Sequence, residues 1–167
     1  MWNVKHLDKI LAEIGTRKSK SIFSPSKSLW AYRLSKIGDN RQRGNVVERF
    51  VRDIFISQNK NVRYIGGSHP FDMFVNKQRI EVKSSLASAS VVGGRVRYSY
   101  QFQNIKTKNF DKLVLVFISP EGLTIRVMER NTVEKYLIHA KTYKNGKTLS
   151  IGKYCSKSIG KKLAVAA

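Results

Sequence analysis

Apolar residues recur at helical spacing in separate stretches of the chain. Val4, Leu7, Ile10, Leu11 and Ile14 define one face of a helix predicted over residues 3–15, with Gly15 as its stop. Val46, Val47, Phe50, Val51, Ile54 and Phe55 form the strongest stripe, which predicts a helix over 44–58 packed on the core. Shorter helices are predicted over 28–37 and 130–138. Short runs rich in β-forming residues fall at 61–66, 70–76, 78–84, 95–104, 112–119 and 123–128, separated by Gly, Asn, Ser and Pro. The run at 112–119, Lys-Leu-Val-Leu-Val-Phe-Ile-Ser, is apolar on both parities and reads as a central strand buried on both faces. The fold expected is α/β: a mixed β-sheet core flanked by helices.

Alternation also sets a register. If Asn76 and Lys77 form a two-residue turn, Phe71, Met73, Val75, Ile80 and Val82 fall on one face of a hairpin, and Asp72, Arg79, Glu81 and Lys83 fall on the other. Phe74 is the apolar exception on the polar face. In this register Asp72 faces Glu81. Two opposed carboxylates, roughly 5 Å apart at Cβ, repel each other unless a cation lies between them. Oxygen-only ligation suits Mg²⁺, with Mn²⁺ as its substitute, and such a metal polarises a phosphate and activates a bound water. Lys83, two residues after Glu81 on the same face, is placed to stabilise developing negative charge. The plain alternative is a solvated charge ladder in which Arg79 and Lys83 neutralise Asp72 and Glu81.

Composition narrows the partner. Thirty-two Lys and Arg stand against eleven Asp and Glu, a formal charge of +21 that calls for an anionic partner, with nucleic acid the first candidate. No amphipathic basic helix or lipidation signal points to a membrane, and residues 1–14 have the pattern of neither a signal peptide nor a membrane span. The lone Cys155 forms neither an internal disulfide nor a common structural zinc site, which suits a reducing cytosol and predicts an intracellular, DNA-associated protein. At 167 residues the chain is expected to be a single domain: a basic N-terminal helix and arm over 1–40, a catalytic core over 41–138 and a basic tail over 139–167. The tail is lysine-rich without an acid and is expected to touch phosphates or to be mobile.

Asp72, Glu81 nine positions on, and the run Ile80-Glu81-Val82-Lys83 resemble the PD-(D/E)XK, or restriction-endonuclease-like, nuclease superfamily. In that family a helix carrying a further acid precedes the hairpin, and Glu48 matches that place. The motif departs from the family's name in reading Pro70-Phe71-Asp72. The resemblance spans roughly residues 40–120, about half the chain. It implies Glu48, Asp72, Glu81 and Lys83 as catalytic residues and Asp72, Glu81, Glu48 and the backbone carbonyl of Val82 as metal ligands. Taken as a surface residue, Glu48 would instead pair with Arg52 one turn along its helix.

Candidate DNA contacts are Arg17, Lys18, Lys20 and Lys27 in the basic arm, Arg41 and Arg43 before the helix, Ser84, Gln101 and Gln103 on strands, and Lys153 and Lys157 in the tail. The function expected is a Mg²⁺-dependent endonuclease, site-specific in the manner of restriction or homing enzymes. A structure-specific nuclease such as a Holliday-junction resolvase is the alternative, and a non-catalytic basic nucleic-acid-binding protein the second. One metal site attacks one strand at a time, so a homodimer or higher homo-oligomer is expected, with Trp2, Val4, Leu7 and Leu11 as a candidate interface.

Overall fold

The computed structural model describes residues 22–92, 95–138, 140, 142–143, 146–152 and 161–162. The helix expected over 3–15, and with it Trp2, Val4, Leu7 and Leu11, lies outside the described residues. In chain order the elements are α1 (Leu29–Lys36), α2 (Asn40–Ser57), β1 (Val62–Tyr64), β2 (Met73–Val75), β3 (Gln78–Leu86), β4 (Ser88–Val92) and β5 (Arg95–Ile105). They continue as β6 (Lys112–Ser119), β7 (Gly122–Glu129), α3 (Arg130–Leu137), β8 (Thr142–Tyr143), β9 (Gly146–Gly152) and β10 (Lys161–Lys162).

Helices α1 and α2 begin where a short polar side chain satisfies their first free amides. Ser28 Oγ accepts from Ala31 N–H at 3.3 Å, and Asp39 Oδ1 accepts from Arg41 N–H at 2.7 Å and Gln42 N–H at 3.3 Å. The Asp39 cap explains why α2 begins at Asn40, four residues before the start that apolar periodicity predicts. Its stripe is buried as expected at Val46, Val47, Val51, Ile54 and Phe55, and α2 packs against β1 and β3.

The fold is mixed α/β. A six-stranded sheet runs in the order β1-β2-β3-β6-β7-β10. Strand β3 pairs in parallel with β6 from Ile80 with Lys112 to Leu86 with Ile118, and the neighbouring pairs are antiparallel. Strand β6 is buried from Leu113 through Ile118. An almost continuous apolar run is what a strand covered on both faces requires.

A second sheet, in the order β4-β5-β9-β8, departs from the single sheet expected. Residues 146–152, read from sequence as part of a basic tail, form β9 and pair with β5, while Lys161 and Lys162 pair with Val127 and Arg126 of β7. Charge composition describes the lysines of this region but says nothing of its partners. Its alternating Leu149 and Ile151 do, because both are buried. The second sheet packs on the first through Tyr100 and Phe102, whose rings each lie 5.0 Å from the ring of Phe117 in β6.

The hairpin turn is as expected. Asn76 (φ 48°) and Lys77 (φ 68°) both occupy the left-handed region, the signature of a type I′ turn. The ladder pairs Val75 with Gln78, Phe74 with Arg79 and Met73 with Ile80. Asn76 Oδ1 accepts from Asn61 N–H at 3.0 Å, which ties the turn to the approach to β1. Lysine is costly in this conformation by about 1 kcal/mol, and glycine is not. Lys77 is exposed, so Lys77→Gly is expected to stabilise the protein by about that amount. A rise in the urea midpoint at unchanged slope checks this, and a fall would show that the lysine side chain has a structural role.

Candidate active site

Alternation along β3 places Arg79, Glu81, Lys83 and Ser85 on one face. Through the parallel ladder, Glu81, Lys83 and Ser85 share that face with Leu113, Leu115 and Phe117 of β6. The second sheet covers the far end of this row, where Gln101 N–H donates to the buried Ser85 Oγ at 2.9 Å. Glu81 and Lys83 lie short of that cover, with 12% and 25% of their side-chain surface exposed.

Asp72 departs from the simple register. It does not stand in the ladder opposite Glu81: its N–H donates at 3.0 Å to the carbonyl of Ile80, the residue already paired with Met73. Its carbonyl accepts from Ile65 N–H at 2.9 Å and Gly66 N–H at 3.0 Å, and its Oδ2 accepts from Val82 N–H at 2.7 Å. Leaving the ladder thus aims the carboxylate at the backbone of β3, beside Val82. Burial raises the Asp72 pKa, opposed by the Val82 hydrogen bond and the Lys83 charge.

Glu81 is ion-paired through Oε1 with Lys83 Nζ. Burial nevertheless pushes its pKa up to about 7; Lys83 pulls it down, while the charges of Asp72 and Glu48 add to the rise. Desolvation of the carboxylate outweighs the lysine beside it.

Glu48 comes from α2. Tyr64 Oη donates to its Oε2 at 3.0 Å, and burial, followed by the charge of Asp72, raises its pKa. It does not make the surface pair with Arg52, which instead contacts its neighbour Asp53 at 2.7 Å. Gly44 lies one turn earlier, where an added Cβ would make an ordinary van der Waals contact with Glu48 Oε1 at 3.9 Å.

Tyr64 carries no functional signal in the sequence: it falls within the strand run 61–66, and nothing local connects it to Glu48. Gly66 permits the contact, because a Cβ at its φ of 62° would lie 2.8 Å from the Tyr64 ring.

Arg79 does not neutralise the site. Its guanidinium grips Asp111 through Nη2 to Oδ1 at 2.8 Å and Nε to Oδ2 at 3.2 Å, and its N–H also donates to Oδ2 at 2.9 Å. These bonds hold the Asp111 carboxyl below its ordinary pKa and clamp the start of β3 to the segment entering β6. The charge ladder is therefore reduced to Lys83 on Glu81.

The candidate DNA contacts divide. Lys27, Arg41, Gln101 and Gln103 are exposed. Arg43 is half-buried, donating to the Ile37 carbonyl at 2.9 Å and to Asn40 Oδ1, so it braces the α1–α2 junction rather than reaching outward. Ser84, paired with Val116, lies on the face of β3 opposite Lys83; the period of two puts Ser85, not Ser84, in the site row. Arg17, Lys18, Lys20, Lys153 and Lys157 lie outside the described residues.

Among the described residues no group of three or more His, Cys, Asp or Glu is arranged to hold a metal ion by itself. The donor set still fits Mg²⁺, which is commonly bound through one or two carboxylates with water and substrate phosphate completing its shell. Asp72 and Glu81 are such a pair: burial raises the pKa of both, and the charge of Asp72 adds to the rise at Glu81, so a cation between them would relieve the strain. No helix among the described residues is long and apolar enough to cross a membrane.

No protein-family model matches the chain, and no curated protein matches it. Among solved structures, a bacterial homing endonuclease, I-Ssp6803I, is similar over 68% of this chain and 75% of its own, with 14% identity and a TM-score of 0.46.

The raised pKa of Glu81 makes its ionisation destabilising. A carboxyl whose folded pKa exceeds its unfolded one contributes stability below the unfolded value and loses it as pH rises through the folded value. For Glu81 that window runs from the ordinary 4.5 to about 7. In EDTA, the stability of Glu81→Gln relative to the native protein is expected to rise across this window and level off above it. A relative stability that falls instead would show that the ion pair with Lys83 dominates.

Proposed function

We propose that this protein is a divalent-cation-dependent DNA endonuclease that hydrolyses phosphodiester bonds at particular sites. The observation that carries the reading is the convergence of Asp72, Glu81 and Glu48, each a carboxylate with raised pKa, around Lys83 at the uncovered end of one strand face. A structural sheet has no use for such a group, since each ionised carboxylate weakens the fold and one lysine cannot offset them all.

In this reading Asp72 and Glu81 hold Mg²⁺, or Mn²⁺ in its place, with the Val82 carbonyl and Glu48 in support. The ion supplies Lewis acidity toward the scissile phosphate and an acidified water. The backbone of Val82 orients Asp72, and Tyr64 orients Glu48. Lys83 stabilises the negative charge that grows on the phosphate oxygens as water adds and the P–O bond breaks. The basic surface draws the DNA backbone in. A charge of +21 serves a polyanionic substrate in the cytosol and has no part in the chemistry itself.

Purified protein is expected to cut DNA with Mg²⁺ or Mn²⁺ and to stop in EDTA. Asp72→Ala, Glu81→Ala and Lys83→Ala are each expected to lower the cleavage rate at least about 100-fold while DNA binding persists. Plasmid and four-way-junction substrates assayed side by side separate site-specific cleavage from junction resolution. Tight binding with no cleavage of either would leave a binding protein. Because one site cuts one strand, the active species is expected to be a homodimer or higher homo-oligomer. Light scattering with DNA present checks this, and a persistent monomer that only nicks would refute it.

A further inference from the structure

The second sheet has two unlike faces. Tyr100 and Phe102 of β5 turn inward onto Phe117, and Ser99, Gln101 and Gln103 lie exposed on the other side. The ladders set the exposed Ser88 beside Ser99 and the exposed Ser150 beside Gln101, which extends the same surface over three strands. Strands β4, β5, β8 and β9 hold no aspartate or glutamate, and the exposed Arg97 stands on the same face of β5 as Ser99 and Gln101.

An ordinary solvent-facing sheet carries cross-strand pairs of opposite charge and lysines that discourage association. Here short hydroxyls and carboxamides, which both donate and accept, occupy the centre of the face. Those groups suit base edges: a glutamine carboxamide can contact adenine through two hydrogen bonds, and a serine hydroxyl adapts to several bases. A β-sheet face is one of the elements that proteins lay in a DNA groove. The acid-free surface complements a polyanion. It is also joined to the catalytic strand, since Gln101 N–H bonds Ser85 two residues beyond Lys83.

We propose that the exposed face of β4, β5 and β9, centred on Ser99, Gln101 and Gln103, reads base edges in the major groove of duplex DNA. The inference rests on the DNA substrate of the reading above and assigns its sequence preference to this sheet. The duplex is DNA and not RNA, because the deep, narrow major groove of A-form RNA does not admit such readout.

The test is selection from a randomised duplex DNA pool by full-length protein in EDTA, so that binding is read apart from cleavage. Gln101→Ala and Ser99→Ala change exposed side chains only and leave the Gln101 N–H that holds Ser85 in place; thermal unfolding confirms that each variant folds. The native protein is expected to enrich a short motif. Gln101→Ala is expected to lose base preference at one or two positions, with the affinity ratio of motif to scrambled duplex falling about tenfold and the salt slope unchanged. No enrichment by the native protein, the same motif at the same ratio in both variants, or equal competition by single-stranded DNA or duplex RNA would each overturn the proposal. Cleavage of the selected duplex with Mg²⁺ is scored separately. A motif that is bound and altered by Gln101→Ala but never cut upholds the reading face and removes the nuclease, whereas cutting with an unaltered motif removes only the face.

Discussion

The parallel ladder between β3 and β6 is the constraint from which the rest of the arrangement follows. Strand β6 is buried along its apolar length and cannot move without exposing it. Seven residues of β3, from Ile80 to Leu86, are registered against it. That register settles which face Glu81, Lys83 and Ser85 occupy. Arg79 fixes the entry of the strand by gripping Asp111, and Ser85 fixes its far part by accepting from Gln101. Between these anchors the strand carries its charged pair rigidly.

On that strand the electrostatics oppose the fold. Glu81 is held where burial outweighs its lysine, and Asp72 and Glu48 are also pushed toward their protonated forms. Each of the three has its own partner: the Val82 N–H of the strand for Asp72, the Tyr64 hydroxyl from β1 for Glu48 and the Lys83 ammonium of the strand for Glu81. Each partner offsets part of the cost, and none removes it. A cation held there, as proposed, would relieve this tension and link the stability of the protein to the chemistry proposed for it.

The second sheet completes the arrangement by covering one end of the strand face and leaving the other open. Its inner aromatic residues bury Phe117, so its place is set by packing, and its outer residues are free of that duty. One strand, β5, thus serves the core through Tyr100 and Phe102 and presents Gln101 and Gln103 to solvent. The division follows from the period of two, which gives every strand two faces that can be used independently.

Whatever depends on near neighbours is legible along the chain alone. The apolar stripe of Val47, Val51 and Ile54 specified α2, the alternation of Met73, Val75, Ile80 and Val82 with the Asn76-Lys77 turn specified the hairpin and its register, and the unbroken run from Leu113 to Ile118 specified the buried strand. The pairing of Glu81 with Lys83 was legible because two residues along a strand is a local relation. Tertiary structure alone decided the rest. Asp72 leaves the ladder to reach Val82, Tyr64 meets Glu48, Arg79 turns from the site to Asp111, and β9 joins β5 in a second sheet. Each of these joins residues distant in sequence or breaks a local period. No periodicity encodes them, because they exist only once the packed elements bring their backbones and side chains within hydrogen-bonding distance.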